Sequence, residues 1–295
     1  MVALNFEPSL ACVNAHEGGR DDDPRDSGGR TAYGVTQARY NQYLRDQHRG
    51  PADVWAITMP ERVAIWRAYY WAPVRGDDLP AGLDYVVFDG GVNSGPVQAI
   101  KWVQRAVNDV CGASGAILVD GQMGTNTLAA INAIDDIDAL IDRMQNRRLA
   151  MLKELRTWRY YGRGWSRRVE DVRKLGQAVA RGSVVLAPPA GWTTAQGKAF
   201  ASDAKPLPNP TSGTIASALG AVSGAVTQIQ PVVQPLQGST LWADAALTGV
   251  MYAGVAATLA GMGWAAYAAA KSRSRASALG LVPPEASVTL APVTA

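Results

Sequence analysis

The chain has 295 residues, 47% of them hydrophobic, with a formal net charge of +3. This length and composition suit one large or two modest domains with a real core and exclude disorder for most of the chain. Two cysteines, Cys12 and Cys111, exclude a disulfide scaffold, two histidines argue against a His-based metal site, and a small charge without aromatic-interleaved basic stretches argues against nucleic acid.

In chain order, Phe6, Leu10 and Val13 recur at helical spacing, which predicts a helix over about Pro8 to His16, ended by Gly18 and Gly19 just after Glu17. No cleaved secretory signal is visible before it. From Arg20 to Tyr33 turn formers dominate, as in Asp23-Pro24 and Ser27-Gly28-Gly29, so a loop or small irregular hairpin is expected. A polar segment from Val35 to about Gln47 reads as another helix. Thr58-Met59-Pro60-Glu61 has the spacing of a capping box with Pro in the first turn, and Val63, Trp66 and Tyr70 then share a helical face until Pro73. The aromatic group of Trp55, Trp66, Tyr69, Tyr70 and Trp71 suits core packing, with stacking on sugar rings as the functional alternative.

Phe88 to Pro96 reads as a turn and cap, followed by a helical stripe at Val97, Ile100, Val103 and Val107. A loop over Val119–Gly124 leads to a helix near Thr127 to Ile134. Asp135 and Asp136 precede a longer helix through Leu140, Met144, Arg148 and Leu155. After an aromatic break at Trp158–Gly162, a last helix is expected from about Trp165 to Ala180. Between Arg143 and Lys174 there are eleven Lys and Arg against three acids. Solvated helix faces explain such an excess, and attraction to anionic envelope polymer or lipid headgroups is the alternative. From about Ser183 to Ser239 the composition is that of a flexible tether. Ala245 to Ala270 then runs twenty-six residues without a charge, long enough to cross a bilayer at about 1.5 Å per residue. Gly249, Ala253, Ala257 and Gly261 put small residues on one face, where self-association in lipid would occur, and Lys271, Arg273 and Arg275 follow. An Ala/Gly-rich helix outside the membrane is the alternative.

The stretch from His16 to Thr36 holds the arrangement suited to chemistry. Glycoside hydrolysis needs a carboxylic acid to protonate the leaving oxygen and usually a second carboxylate to activate water or stabilise an oxocarbenium-like transition state. Glu17 at a helix end and Asp26 in a loop rich in backbone donors supply such a pair, with Thr31 placed to hold a water. Desolvation would raise the pKa of Glu17, as a general acid requires, while Asp26 stays ionised. A solvated loop accounts for the spacing equally well. Cys12 and Cys111 read as buried free thiols or as a pair.

Glu17-Gly18-Gly19, Asp23-Pro24, Asp26, Gly28-Gly29, Thr31 and Gly34-Val35-Thr36 resemble the signature of the glycoside hydrolase family 108 N-acetylmuramidases, lysozyme-like phage endolysins and their bacterial relatives. Phe88-Asp89, Asn93-Ser94-Gly95-Pro96, Ala99–Gln104, Asp120-Gly121, Gly124, Thr127-Leu128 and Gly164-Trp165-Arg168-Val169 resemble the peptidoglycan-binding domain that follows in that family. Together they cover about residues 6 to 175. The chain departs from the family's pattern at Arg20, where an aromatic is common, and at Ala32-Tyr33, which replaces an Asn-containing pair.

The resemblance implies that Glu17 is the catalytic acid, with Asp26 and Thr31 its helpers and Tyr33, Asn93 and Trp102 as substrate contacts, and it implies no metal or organic cofactor. The expected fold is mainly α: a lysozyme-like catalytic unit with a small irregular hairpin at 1–82, a helical peptidoglycan-binding unit at 83–182, a flexible linker at 183–240, a C-terminal transmembrane helix at 241–270, and a basic then flexible tail at 271–295. The expected function is a muramidase of the endolysin type that hydrolyses the MurNAc-β-1,4-GlcNAc bond of peptidoglycan for host cell lysis, held at the inner membrane and acting on the wall in the periplasm. A lytic transglycosylase on the same bond and a noncatalytic, membrane-tethered peptidoglycan-binding protein are the alternatives.

Overall fold

A computed structural model describes residues 5–17, 19–22, 29–112, 116–188, 198–207 and 241–281, with backbone alone over 241–258. Two units separate at Lys205 and Pro206.

The first unit opens with helix α1 (Phe6–His16), whose apolar stripe of Phe6, Leu10 and Val13 is buried. Its last turn gives way at Glu17 to extended backbone. Three two-residue strands follow, β1 (Arg20–Asp21), β2 (Thr31–Ala32) and β3 (Val35–Thr36), antiparallel in the order β1-β2-β3. The turn between β2 and β3 uses Tyr33 and Gly34, both at positive φ. Helix α2 (Gln37–Asp46) starts on the Thr36 side chain, which accepts from the Arg39 N–H. Helix α3 (Met59–Trp66) carries the expected capping box of Thr58 and Glu61 and passes into a π-helical turn, Arg67–Trp71. The rings of Phe6, Trp66, Trp71 and Phe88 meet at 5.3–6.3 Å, and Trp66 and Trp71 are buried, so this aromatic cluster is core.

Helix α4 (Leu83–Ser94) lies at the centre, with every residue buried, and packs on α1 as well as on α5 (Pro96–Cys111), α7 (Ile137–Lys153) and α8 (Trp158–Ala180). The sequence of Phe88–Ser94 predicts a turn, yet it is helical. Gly90 and Gly91 serve close helix contact there: a Cβ on Gly90 would sit 3.4 Å from Ala99 and Trp102, and one on Gly91 would sit 3.5 Å from Pro96. Small residues admit the neighbouring helix, and tertiary packing overrides their low helix propensity. Helix α6 (Thr125–Asn132) follows the expected loop, and the Asp136 side chain caps α7 through Ala139 N–H. Helix α8 begins at Trp158, so the expected aromatic break is its first turn; Gly162 leaves room for the Trp158 ring to fold back on the helix.

The arginine excess of residues 143–174 does not form a solvated face throughout. Arg148 and Arg168 are buried, at 0% and 2% exposure, and pair with Asp89. Cys12 is buried and Cys111 half-buried, both as free thiols.

Of the expected linker, residues 189–197 and 208–240 lie outside the described residues, while Lys198–Lys205 belong to the first unit. In the second unit, helix α9 (Leu241–Leu279) covers the expected spanning segment. That expectation is corrected: among the described residues no helix is long and apolar enough to cross a membrane. Ala and Gly add little apolar surface per turn, and the same helix continues through Lys271, Arg273 and Arg275. The side chains of Gly249, Ala253 and Ala257, on which the expected self-association rested, lie outside the described residues, as does the tail from residue 282.

Candidate active site

Glu17 is the residue on which the first unit converges. As the C-cap of α1 it leaves the helix with φ −80° and ψ 138°, and its N–H still donates to Val13 C=O. The side chain is 8% exposed. Its Oε1 accepts from Arg168 of α8 at 2.7 Å, and its Oε2 accepts from Lys198 Nζ at 3.2 Å. The β2–β3 turn closes over the carboxylate from the other side. Gly34 is at φ +79°, and a Cβ there would lie 2.4 Å from Glu17 Oε2. That position admits only glycine on both counts.

Behind Glu17 stands a second buried carboxylate. Asp89, on the central helix, accepts from Arg168 Nε and Nη2 at 2.8–3.2 Å and from Arg148 Nη1 at 2.7 Å. Arg148 Nη2 also reaches Asn93 Oδ1 at 3.4 Å. The chain of charges runs Glu17, Arg168, Asp89, Arg148, alternating in sign. Buried charges are tolerable in this form because each has an opposite partner and directed hydrogen bonds. Burial pushes the Asp89 carboxyl up, but the Arg168 and Arg148 guanidinium groups outweigh it and hold it well below the carboxylate range. Burial lowers Arg168, and Asp89 and Glu17 more than restore it.

The same balance corrects one expectation. Desolvation does push the Glu17 carboxyl up, but Lys198 and then Arg168 overcome it, and its pKa is lowered from the ordinary value. In this arrangement Glu17 is a paired carboxylate.

The other sequence candidates separate. Asp26 lies outside the described residues. Thr31 is buried in β2, opposite Asp21, and its hydroxyl donates to Gly29 C=O at 2.8 Å. Tyr33 is exposed at the turn tip, beneath Arg62 at 4.3 Å from the ring centre. Asn93 is buried at the end of α4, where its C=O accepts from Ala199 N–H at 3.1 Å. Trp102 is buried in the core against Gly90, so it offers no face to a sugar. The structure therefore gathers Glu17, Gly34 and Asn93 around one network and leaves Trp102 out of it.

Sequence reasoning assigned no role to Asp89, Arg148, Arg168 or Lys198. For the two arginines a signal existed: Arg148 continues the apolar stripe of Leu140 and Met144, and Arg168 sits between Trp165, Val169 and Val172. An arginine on the core face of a helix requires a buried anion. Lys198 sits in a stretch without periodicity, and nothing local marks it.

A family profile described as Glycosyl hydrolase 108 matches residues 10–95, and one described as Predicted Peptidoglycan domain matches residues 98–170. Among solved structures, that of Brucella abortus SagA is 36% identical with a TM-score of 0.53; the alignment covers 60% of this chain and 96% of that one. Comparison with curated proteins finds no match.

Proposed function

Because this chain belongs to the glycosyl hydrolase 108 family and is a glycoside hydrolase acting on peptidoglycan, we propose that it is a muramidase whose proton donor is Glu17. One observation carries the assignment: the Glu17 carboxylate is buried between the end of α1, the β2–β3 turn and α8, and Gly34 is kept side-chain-free to make room for it.

The bond proposed is MurNAc-β-1,4-GlcNAc. The protonated Glu17 gives its proton to the leaving O4 of GlcNAc as the C1–O bond of MurNAc breaks. A water oxygen then bonds to C1, and the water's proton restores Glu17. Asp26 is proposed as the carboxylate that steadies the cationic C1. Tyr33, exposed on the hairpin tip, is proposed to contact the glycan. Asn93 is proposed as a contact that opens to substrate only when Ala199 leaves its carbonyl. The site is proposed to act on the cell wall of a host at lysis, as an endolysin does.

The test is Glu17→Gln, which keeps the shape and removes the acid. Release of fragments from purified peptidoglycan should fall by about 10²–10⁴-fold, the usual contribution of a positioned acid. Retention of the parent rate would end the assignment. Mass spectrometry of the parent's products should show reducing MurNAc ends; anhydro ends would mean a lytic transglycosylase.

A further inference from the structure

We propose that Arg168 is the fixed positioning residue of Glu17 and that Lys198 is a displaceable plug on the same carboxylate, carried by a strap, Lys198–Lys205, that must lift for substrate to bind. The proposal rests on Glu17 being the proton donor.

The two oxygens of Glu17 have partners of different kinds. Oε1 faces Arg168, which is 2% exposed, belongs to the long helix α8, and is locked by three further hydrogen bonds to Asp89. That partner cannot leave without breaking the core. Oε2 faces Lys198, whose ammonium also donates to Val92 C=O at 3.3 Å. Lysine is a point charge on a flexible stem, whereas the arginine here is held through its planar fork.

Backbone hydrogen bonds secure the strap that carries Lys198 at both of its ends. Ala199 N–H donates to Asn93 C=O at 3.1 Å beside the site. At the far end Arg156 N–H donates to Asp203 C=O, Lys205 N–H donates to Glu154 C=O, and Ala204 bridges Leu155 across the α7–α8 junction. Lys198 and Ala199 are buried at the near end, and Phe200 to Lys205 are half-buried or exposed. A segment with few buried contacts opens at low cost compared with the helices beneath it.

Geometry makes the strap and the glycan alternatives. A general acid must lie within hydrogen-bond reach of the oxygen it protonates, and both Glu17 oxygens are occupied. Beside Lys198 a cavity of about 320 Å³ opens, lined also by Thr36, Arg39, Gln42, Tyr70 and Phe200, so the lysine stands at the inner wall of an accessible space. The groups facing Glu17 are Arg168 and Lys198, with Asp89, Arg148 and His16 behind them. Removing Lys198 takes away one of the two cations that hold Glu17 ionised. Its pKa then rises, and the protonated fraction at neutral pH grows with it.

The experiment compares the full chain with Lys198→Ala, Ala199→Pro, Arg168→Lys and Glu17→Gln on purified peptidoglycan, as kcat/KM against pH. Lys198→Ala should raise kcat/KM at neutral pH by about tenfold and move the falling limb of its pH profile to higher pH. Ala199→Pro removes the N–H that ties the strap to Asn93 while keeping the lysine charge, and should move both in the same direction. Arg168→Lys should lower kcat and move the limb to a new position, with the fold intact by circular dichroism. Loss of activity in Lys198→Ala with an unchanged melting temperature would overturn the plug, since Lys198 would then be needed for turnover. Unchanged kcat and pH profile in a folded Arg168→Lys would overturn the positioning role. Activity surviving in Glu17→Gln would instead overturn the proton-donor assignment itself.

Discussion

At the scale of single residues, charge and space decide what Glu17 does. Gly34→Ala is expected to cost about 10²-fold in kcat, because a methyl 2.4 Å from Oε2 must displace the carboxylate and misplacement of about 1 Å has that effect; hydrolysis of labelled peptidoglycan measures it. Asp89→Asn leaves Arg148 and Arg168 without their shared anion and should destabilise the protein by about 3–5 kcal/mol, read by urea unfolding. A double change of Asp89 to Asn and Arg148 to Met should recover part of that loss, since it removes an uncompensated charge. Glu17 was legible in the sequence from its place at a helix end before glycines. Its charge partners were not, because Arg168 is 151 residues away and Lys198 is 181. Desolvation, inferred from local context, has the expected sign, and two distant cations reverse its outcome.

At the scale of elements, local rules account for the helix ends and fail where helices touch. The capping box on α3 is present with both reciprocal bonds, and Thr58→Ala should cost about 1 kcal/mol in thermal unfolding. Glu61 also accepts from Arg49 and from the Tyr40 hydroxyl. Burial pushes its carboxyl up, and the Thr58 N–H, Arg49, the Thr58 hydroxyl and Tyr40 together hold it down to about 2. A depressed folded pKa stabilises fully above the ordinary value of 4.5 and is lost as pH falls toward 2. Glu61→Gln should therefore narrow its stability gap to the parent across that window, as equilibrium unfolding from pH 5 to pH 2 would show. Phe88–Ser94 and Trp158–Gly162, by contrast, read as breaks and are helix. Their glycines carry two meanings in a sequence, chain reversal or close approach, and only the neighbour distinguishes them: Ala99 and Trp102 for Gly90, the Trp158 ring for Gly162. Gly176 shows the same use, since a Cβ there would meet Val86 at 2.4 Å where α8 crosses α4. Gly176→Val should cost about 1–3 kcal/mol by overpacking, measurable as a lower urea midpoint.

At the scale of the whole molecule, the two matched regions form one working body from Met1 to Lys205. Helix α4 closes the first region and is the core of the second, with no exposed face. A fragment ending at residue 95 would expose α4 and lose Arg168, Arg148 and Lys198. It is expected to show no cooperative melting transition by circular dichroism and no release of peptidoglycan fragments. The full first unit should show both. The proposed strap belongs to this scale as well, because it joins the end of α4 to the α7–α8 junction.

By itself, the sequence determined the residues whose roles depend on neighbours a few positions away. The capping box, the apolar stripes of α1 and α5 and the placing of Glu17 at the end of α1 are all of this kind, because hydrogen-bond spacing and side-chain periodicity are local. Tertiary structure alone decided the rest. It made α4 a buried helix, turned two arginines from surface charge into the support of a carboxylate, and brought a lysine from beyond the second matched region onto that carboxylate. The physical reason is common to these cases: burial and ion pairing are properties of the space around a residue, and that space is filled by parts of the chain far away in sequence.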